Sequence, residues 1–380
     1  MLTKNISQKN IEKILFNMLF FANPKSEYDY LRKKIDKKIK NVLNSNSYVL
    51  GKEVESFEKN FSKYLGVKHS VGVSNGTDAI ILALQAIHIE KGDEVITTSH
   101  TAFATIAAIV DVGAVPIFID IKEDDFNIDV SKIEKKITKK TKAIIAVHIY
   151  GNPANLYELI KIKRKNKITL IEDCAQAHGA EYNGVKVGTF GDFSCFSFYP
   201  TKNLSTFGDG GIVSTNNLRM YKKLKLLREY GWVKKNVSVQ KGSNKRLDEL
   251  HAGILNVKLT YLDKFNHKRI SIANKFLKNI KSKKLILPNI DNNRKHVFHL
   301  FVLRIKNNLR KNFINSLKKC DINVGIHYPI PNHKQKPFTK YCKTKLLITE
   351  KISKEIVSIP IYPLLKKTEI NKIINVINKF

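Results

Sequence analysis

The chain has 380 residues, with 67 Lys and Arg against 33 Asp and Glu for a formal net charge of +34, and 43% of its residues are hydrophobic. That hydrophobic share excludes a disordered polyelectrolyte, and the length suits one large domain plus a smaller one, each with its own core. The lysines are spread along the whole chain beside many Asn and Ile, with no clustered face and no reading module, so nucleic-acid binding is not expected; positive potential does favour a substrate carrying phosphates.

In chain order, residues 1–18 form a basic N-terminal extension without the charged, apolar and small-residue succession of a secretory signal. Leu31, Ile35, Ile39 and Val42, spaced by three and four, predict helix within 28–65. From residue 71 onward short apolar strands alternate with helices, the strands being predicted at 70–73, 94–98, 115–120, 143–150, 168–172, 193–198 and 211–214. The apolar run 101–119 is interrupted by Asp111, Gly113 and Pro116, so it reads as a buried helix, a turn and a strand, and no membrane insertion is expected. Such alternation argues for an α/β domain around a mostly parallel sheet, with its active site beyond the carboxyl ends of the strands. After residue 262 the texture changes to a long basic helix, a strand at 297–305, a helix at 309–319 and a closing helix from 368. The expected division is an extension at 1–18, a large domain at 19–261 and a smaller α+β domain at 262–380. Cys174, Cys195, Cys320 and Cys342 form no Cys-x-x-Cys pair, and are expected to be buried thiols of a protein in the reducing cytoplasm. No metal site is expected.

Three segments carry chemistry. FSCFSFYPTKNL, residues 193–204, places Lys202 just past a strand, and LIEDCAQAHGA, residues 170–180, places Asp173 just past another. A pyridoxal-phosphate enzyme needs such a pair: a lysine to hold the cofactor as a Schiff base, and a carboxylate to keep the pyridine nitrogen protonated so that the ring withdraws electrons. SNGTDAIILALQAI, residues 74–87, runs from a strand end through Gly76 into a helix starting near Thr77, where free amides and the helix dipole suit a phosphate. Each has an ordinary alternative: a strand-end Asp or Lys is commonly a solvated loop residue, and the third segment could be a helix capped by Ser74 or Asn75.

Together the ordered segments SNGTDA, GDEVIT, KTKAIIAVHIYGNPA, IEDCAQAHGA, FSFYPTKNL with GDGG, and GSNKRLDELHAGIL resemble the DegT/DnrJ/EryC1/StrS family of fold-type-I, pyridoxal-phosphate-dependent sugar aminotransferases, from about residue 19 to the C-terminus. The resemblance implies that Lys202 carries the cofactor and shuttles the proton of the 1,3 shift, that Asp173 pairs with the ring nitrogen, and that Gln176 lies near the ring hydroxyl. It implies a phosphate held by the Gly76 and Thr77 amides and Ser197, with Asn244 reaching it from the neighbouring subunit of a homodimer that shares its sites. In SHTAFAT the position of the family's ring-stacking aromatic is Ala102, so His100 or Phe103 is expected to cover the ring, His100 being preferred; the bland alternative for Phe103 is a core aromatic. YGW at 230–232 and GIHYPIP at 325–331 look like the branch that aminates C-3 of dTDP-3-keto-6-deoxyhexoses with L-glutamate as donor, with His327 and Tyr328 facing the sugar, unless Pro329 and Pro331 simply hold a turn there. Three other readings stand beside this one. They are C-4 amination of a UDP-linked ketosugar, a sugar dehydratase of the same fold, against which Lys202 argues because those relatives carry histidine there, and a non-catalytic regulator or nucleic-acid binder of the same fold.

Overall fold

The computed structural model describes residues 18–342 and 344–380, so 1–17 of the expected extension lie outside the described residues. The stretch read as helical within 28–65 is two helices, α1 (Pro24–Asn44) and α2 (Lys52–Leu65). The break follows from the backbone: Asn46 and Leu50 take φ values of 53° and 48°, which end a right-handed helix. The second helix restarts at Gly51, which has no side chain to cap it. A distant carboxylate does so instead: Glu249 accepts hydrogen bonds from the amides of Gly51 at 2.7 Å, Glu53 at 3.0 Å and Val54 at 2.9 Å.

The large domain then alternates as β1 (His69–Val73), α3 (Gly76–Ala86), β2 (Glu94–Thr98), α4 (Phe103–Asp111), β3 (Val115–Ile119), β4 (Thr141–Val147), α5 (Leu156–Asn166), β5 (Thr169–Asp173), the short pair β6 (Glu181–Tyr182) and β7 (Val185–Lys186), β8 (Phe193–Ser197) and β9 (Gly211–Thr215). Seven of these strands form one sheet in the order β1-β9-β8-β5-β4-β2-β3. Only β9 runs against the other six, pairing antiparallel with both β1 and β8. Central strands read as near-continuous apolar runs because both faces are covered. Val71, Ile145, Ile171 and Val213 pack into one cluster, while Ile144, Leu170, Phe196 and Ile212 point into the other. The 101–119 stretch resolves into α4 and β3, as expected from its interruptions. The strand predicted at 143–150 stops at Val147; residues 149–151 form a tight turn in which Tyr150 takes φ 61°.

Beyond β9 come α6 (Leu218–Arg228), the hairpin β10 (Trp232–Lys234) and β11 (Val237–Ser238), α7 (Glu249–Leu259) and α8 (Leu262–Asn279). The smaller α+β part follows with β12 (Leu285–Ile286), β13 (Arg294–Lys295), β14 (Phe301–Ile305), α9 (Arg310–Lys318), α10 (Leu347–Glu355), β15 (Ile356–Ile359) and α11 (Lys367–Lys379). Its sheet is the antiparallel trio β12-β14-β15, around a cluster that includes Phe276, Phe301, Phe313 and Ile373. Leu19, from the other end of the chain, joins this cluster and exchanges backbone hydrogen bonds with Asp321 and Asn323. Of the strand expected at 297–305 only 301–305 is a strand, because 297–300 bonds to the large domain instead: the Val297 amide donates to Gly151 and the Leu300 amide to Tyr150. Cys174 and Cys195 are buried, Cys320 and Cys342 are half-buried, and all four are free thiols. No helix among the described residues is long and apolar enough to cross a membrane.

Glu249→Ala strands three amides at the start of α2, and each hydrogen bond to a charged group carries about 1.5–3 kcal/mol, less what water returns. A loss of about 2–4 kcal/mol in a urea unfolding titration is expected.

Candidate active site

The parallel strands bring the sequence motifs to one edge of the sheet. In register, Asp173 stands beside Cys195 of β8 and Val147 of β4, while Ser197 stands beside Gly211, which in turn pairs with Val73. Lys202 lies on the loop after β8, where its amide closes a turn on the Tyr199 carbonyl at 2.9 Å. The loop is shut behind it by the Thr206 amide donating to the Phe198 carbonyl at 2.8 Å, and Lys258 supports it by donating to Ser205 Oγ at 2.6 Å. Asn203, next in sequence, is buried and fixed by donating to Asn266 Oδ1 and to the Val297 carbonyl.

Asp173 is buried, and burial raises its carboxyl pKa. Against that, Thr105 Oγ1 donates to Asp173 Oδ2 at 2.8 Å, the Ala175 amide donates to Oδ1 at 3.2 Å, and the positive charge of Lys202 acts in the same sense. The reciprocal effect holds at Lys202: burial draws its ammonium from the ordinary 10.5 down to about 8, and Asp173 opposes the fall. His178, His299 and His327 feel the charge of Lys202 as well as their own burial, which holds His178 near 3, His327 near 4 and His299 well below its ordinary value. Neutral imidazoles therefore surround the lysine.

At the β1–α3 junction, Asn75 caps the helix by accepting from the Asp78 amide at 2.8 Å. The amides of Gly76 and Thr77 precede the first intrahelical bond and take no partner among the described residues. Gly76 faces Ser197 so closely that a Cβ on it would lie 2.7 Å from Ser197 Cβ. The acidic Asp78 at this anion-ready end is neutralised by an ion pair with Lys245. Its neighbour Asn244 is exposed on the segment that pairs with Glu229, so the structure does not turn its side chain into this cradle.

The C-terminal part supplies the opposite wall. Gln176 accepts from the Tyr150 amide through Oε1 at 2.6 Å and donates from Nε2 to Tyr328 Oη at 3.0 Å. Its amide orientation is thereby fixed, leaving one N–H free. Tyr150 Oη donates to the His327 carbonyl and lies 2.6 Å from His100 Nε2, so the imidazole must be the donor in that second contact. His100 is buried in this arrangement, with burial holding it near 4, and its ring tilts against Phe126. Phe103 is no core aromatic: it is 48% exposed and packs on Phe338, because it opens α4 at the surface. His327 Nδ1 pairs with Ser358 Oγ at 2.9 Å.

Residues 29–378 match the DegT/DnrJ/EryC1/StrS aminotransferase family. The chain belongs to that family. It is 44% identical over 349 residues to the dTDP-3-amino-3,6-dideoxy-alpha-D-galactopyranose transaminase of Aneurinibacillus thermoaerophilus, covering 92% of this chain and 96% of that one. Among solved structures it superposes on DesV of S. venezuelae with a TM-score of 0.92 at 36% identity, covering 95% and 98% of the two chains. NtdA of Bacillus subtilis, solved with the cofactor PMP bound, gives a TM-score of 0.85 at 30% identity, covering 91% and 80%. The protein is thus a pyridoxal-phosphate-dependent aminotransferase.

The residues present in this DegT/DnrJ/EryC1/StrS member suit that cofactor on structural grounds. A glycine cradle that a Cβ would fill faces Ser197, a half-buried lysine sits beside a buried carboxylate, and both ring nitrogens of His178 are buried without a partner among the described residues. Sequence reasoning missed Tyr150, Thr105 and Asn203, which fix Gln176, Asp173 and the lysine loop respectively. Tyr150 sits inside the HIYG string, but only its left-handed backbone turns its amide toward Gln176; Thr105 is three residues past Ala102 in the same SHTAFAT segment, a spacing that one helical turn converts into proximity. His148, Glu172 and Cys174 also come together, but Glu172 accepts from the Gly188, Phe190 and Gly191 amides as well as contacting His148, which makes it the anchor of the 188–191 loop.

In protein freed of cofactor, competitive acetylation across pH, read by peptide mass spectrometry, is expected to titrate Lys202 with a midpoint near 8. Because the Asp173 charge favours the ammonium, Asp173→Asn should move that midpoint down, not up.

Proposed function

We propose that the chain moves an amino group from L-glutamate to C-3 of a dTDP-3-keto-6-deoxyhexose, giving a dTDP-3-amino-3,6-dideoxyhexose. The observation that carries the reading is the placement of Asp173 at the end of β5 and Lys202 on the loop after the adjacent β8, whose last residue Ser197 faces Gly76. The choice of sugar rests on the Aneurinibacillus transaminase, which shares 44% of its residues and is named for such a product.

When bound, pyridoxal phosphate supplies the carbonyl carbon that carries the amino group between donor and acceptor and the ring that withdraws electrons from it. Lys202, brought near pKa 8, can take up and return a proton at ordinary pH without a large driving-force mismatch. Asp173, whose upward shift from burial is opposed by Thr105, the Ala175 amide and Lys202, would hold a proton on the ring nitrogen. Gln176 would offer its free N–H to the ring hydroxyl, and the Gly76 and Thr77 amides with Ser197 would receive the phosphate. His100, committed to Tyr150, would close the pocket beside the ring. His327 and Tyr328 face the sugar, Tyr328 accepting from Gln176 and so keeping its own proton to donate.

The site is completed by a second copy of the chain in a homodimer. Exposed Asn244 suits a phosphate across an interface better than one within its own protomer, and the neighbouring β10–β11 hairpin leaves Val233, Val237 and Val239 between 49% and 62% exposed. Mixing inactive Lys202→Ala with inactive Asn244→Asp subunits should restore about a quarter of wild-type activity at random exchange, since half the dimers then hold one intact site of two. No restoration would place the sites within single subunits.

Turnover with a panel of dTDP- and UDP-linked 3- and 4-ketosugars, read by mass spectrometry, tests the substrate. Amination at C-3 of the dTDP sugar is expected; faster amination at C-4 of a UDP sugar would overturn the branch assignment. Borohydride reduction should fix the cofactor to the Lys202 peptide, and His327→Ala and Tyr328→Phe should weaken sugar turnover while sparing the half-reaction with glutamate.

A further inference from the structure

The proposed role of Asp173 demands that it stay ionised while buried, and the segments that carry Asp173 and Lys202 supply toward this only the Ala175 amide and the lysine's charge. Two threonines of α4 and its lead-in add to these. Thr105 and Thr101 are buried, and their hydroxyl oxygens lie 2.9 Å apart. Thr105 Oγ1 also reaches Asp173 Oδ2 at 2.8 Å. An ionised carboxylate has no proton to give, so Thr105 must donate its only hydroxyl proton to Asp173; Thr101 must then donate to Thr105. The two hydroxyls are thus polarised in one direction for as long as Asp173 is charged. A protonated Asp173 has a proton of its own to place, and the carboxylate-directed order loses its reason.

The start of this chain is itself held from across the site. Asn332 Nδ2 donates to the Thr101 carbonyl at 2.8 Å and to the Ser99 carbonyl at 3.2 Å, and His333 pairs with Ser99 Oγ through Nδ1 at 2.7 Å. These residues follow directly on the segment that carries His327 and Tyr328. The turn 99–101 is therefore clamped between the C-terminal wall and the sheet, and Thr101 has little freedom to turn its hydroxyl elsewhere. On the other carboxylate oxygen the Ala175 amide donates at 3.2 Å. Each oxygen of Asp173 thus receives one protein donor, and the remaining lone pairs stay free for a ring N–H.

We infer that Thr105, primed by Thr101, is a positioning residue for the amino-transfer reaction: it keeps Asp173 ionised and aims it at the cofactor's ring nitrogen. This rests on the reading of Asp173 given above. Its chemistry is that of a charge-assisted hydrogen bond in a dry site, where a neutral donor supports an anion without competing for it as a second cation would. A valine at position 105 would fill nearly the same volume and leave one carboxylate oxygen without its donor.

The holoenzyme is tested by following the loss of the cofactor's visible band on mixing with L-glutamate, in wild type and in Thr105→Val, Thr105→Ser, Thr101→Val and Asp173→Asn, with the thermal midpoint measured alongside. Thr105→Val should slow the limiting rate about 10- to 100-fold, the span expected for losing one hydrogen bond to a charged group, with little change in the glutamate concentration giving half-maximal rate. Thr105→Ser, which restores the hydroxyl, should recover to within about threefold, and Thr101→Val should fall between them. Wild-type rates in Thr105→Val, or Thr105→Ser as slow as Thr105→Val, would overturn the inference, the second because shape and not the hydroxyl would be responsible. If Asp173→Asn is slowed and Thr105→Val is not, the positioning role fails alone; if Asp173→Asn runs at the wild-type rate, the reading of Asp173 fails and takes the positioning role with it.

Discussion

A carboxylate buried at the carboxyl end of β5 is the constraint around which the site is built. Removing Asp173 from water disfavours its charge, and the surrounding protein must return what the solvent gave. It does so with an amide, a hydroxyl and the nearby ammonium of Lys202. The same burial that raises the Asp173 pKa lowers that of Lys202, so each group moderates the other's shift. One environment therefore draws the lysine down to about 8 and restrains the upward shift of the acid, the combination that the proposed amino transfer asks of the two.

Holding such a pair still takes both parts of the chain. The turn at 149–151 is where they meet. Gly151 takes φ 93° with no room for a side chain, since a Cβ would lie 2.9 Å from the Gln176 carbonyl oxygen. Val297 and Leu300 bond to its backbone from one side, and the Tyr150 amide reaches Gln176 on the other. Gln176 in turn touches Tyr328. Movement of the C-terminal part of this aminotransferase would thus be felt at Gln176 through two short routes, and the wall formed by Tyr328 cannot shift independently of Gln176.

Much of this was legible in the sequence. The alternation of apolar runs located six of the seven sheet strands to within about two residues, because strands buried on both faces leave a dense apolar signature. Motif order brought Lys202, Asp173, Ser197 and Gly76 to the same sheet edge, since parallel strands deliver their carboxyl ends together. What escaped was set by backbone geometry and by contacts distant in sequence. The strand expected through residue 150 ends at 147 because Tyr150 turns left-handed to bond Gln176, and 297–300 is irregular because it bonds that turn. The restart of the helix at α2 is capped by Glu249, some two hundred residues downstream, and no local pattern announces it. Phe103, for which a core position was one alternative, lies on the outer side of the first turn of α4, whose Thr105 and Ile106 point inward instead.

Beneath the lysine loop lies a buried ionic cluster that supports the same view of the site as a rigidly held arrangement. Glu27 of α1 pairs with Lys258 of α7 at 2.9 Å, Lys258 also donates to Ser205, and Arg269 of α8 donates to the Ile361 carbonyl at 2.8 Å while lying 3.9 Å from Glu27. Burial draws the Arg269 guanidinium down to about 10, with Glu27 opposing. Packed hydrocarbon of similar volume would hold these parts together at least as firmly, since desolvating such charges offsets most of their attraction. Hydrocarbon would not, however, fix direction. The ammonium of Lys258 can satisfy Glu27 and Ser205 together only at one distance from each, and that ties the loop carrying Lys202 to α1 and α7. The arginine extends the tie to the residue before Tyr362 in the smaller part. The role proposed for Lys202 needs the backbone of its loop in the same place at each turnover, and a directional cluster under the loop provides that where an apolar contact would allow it to slide.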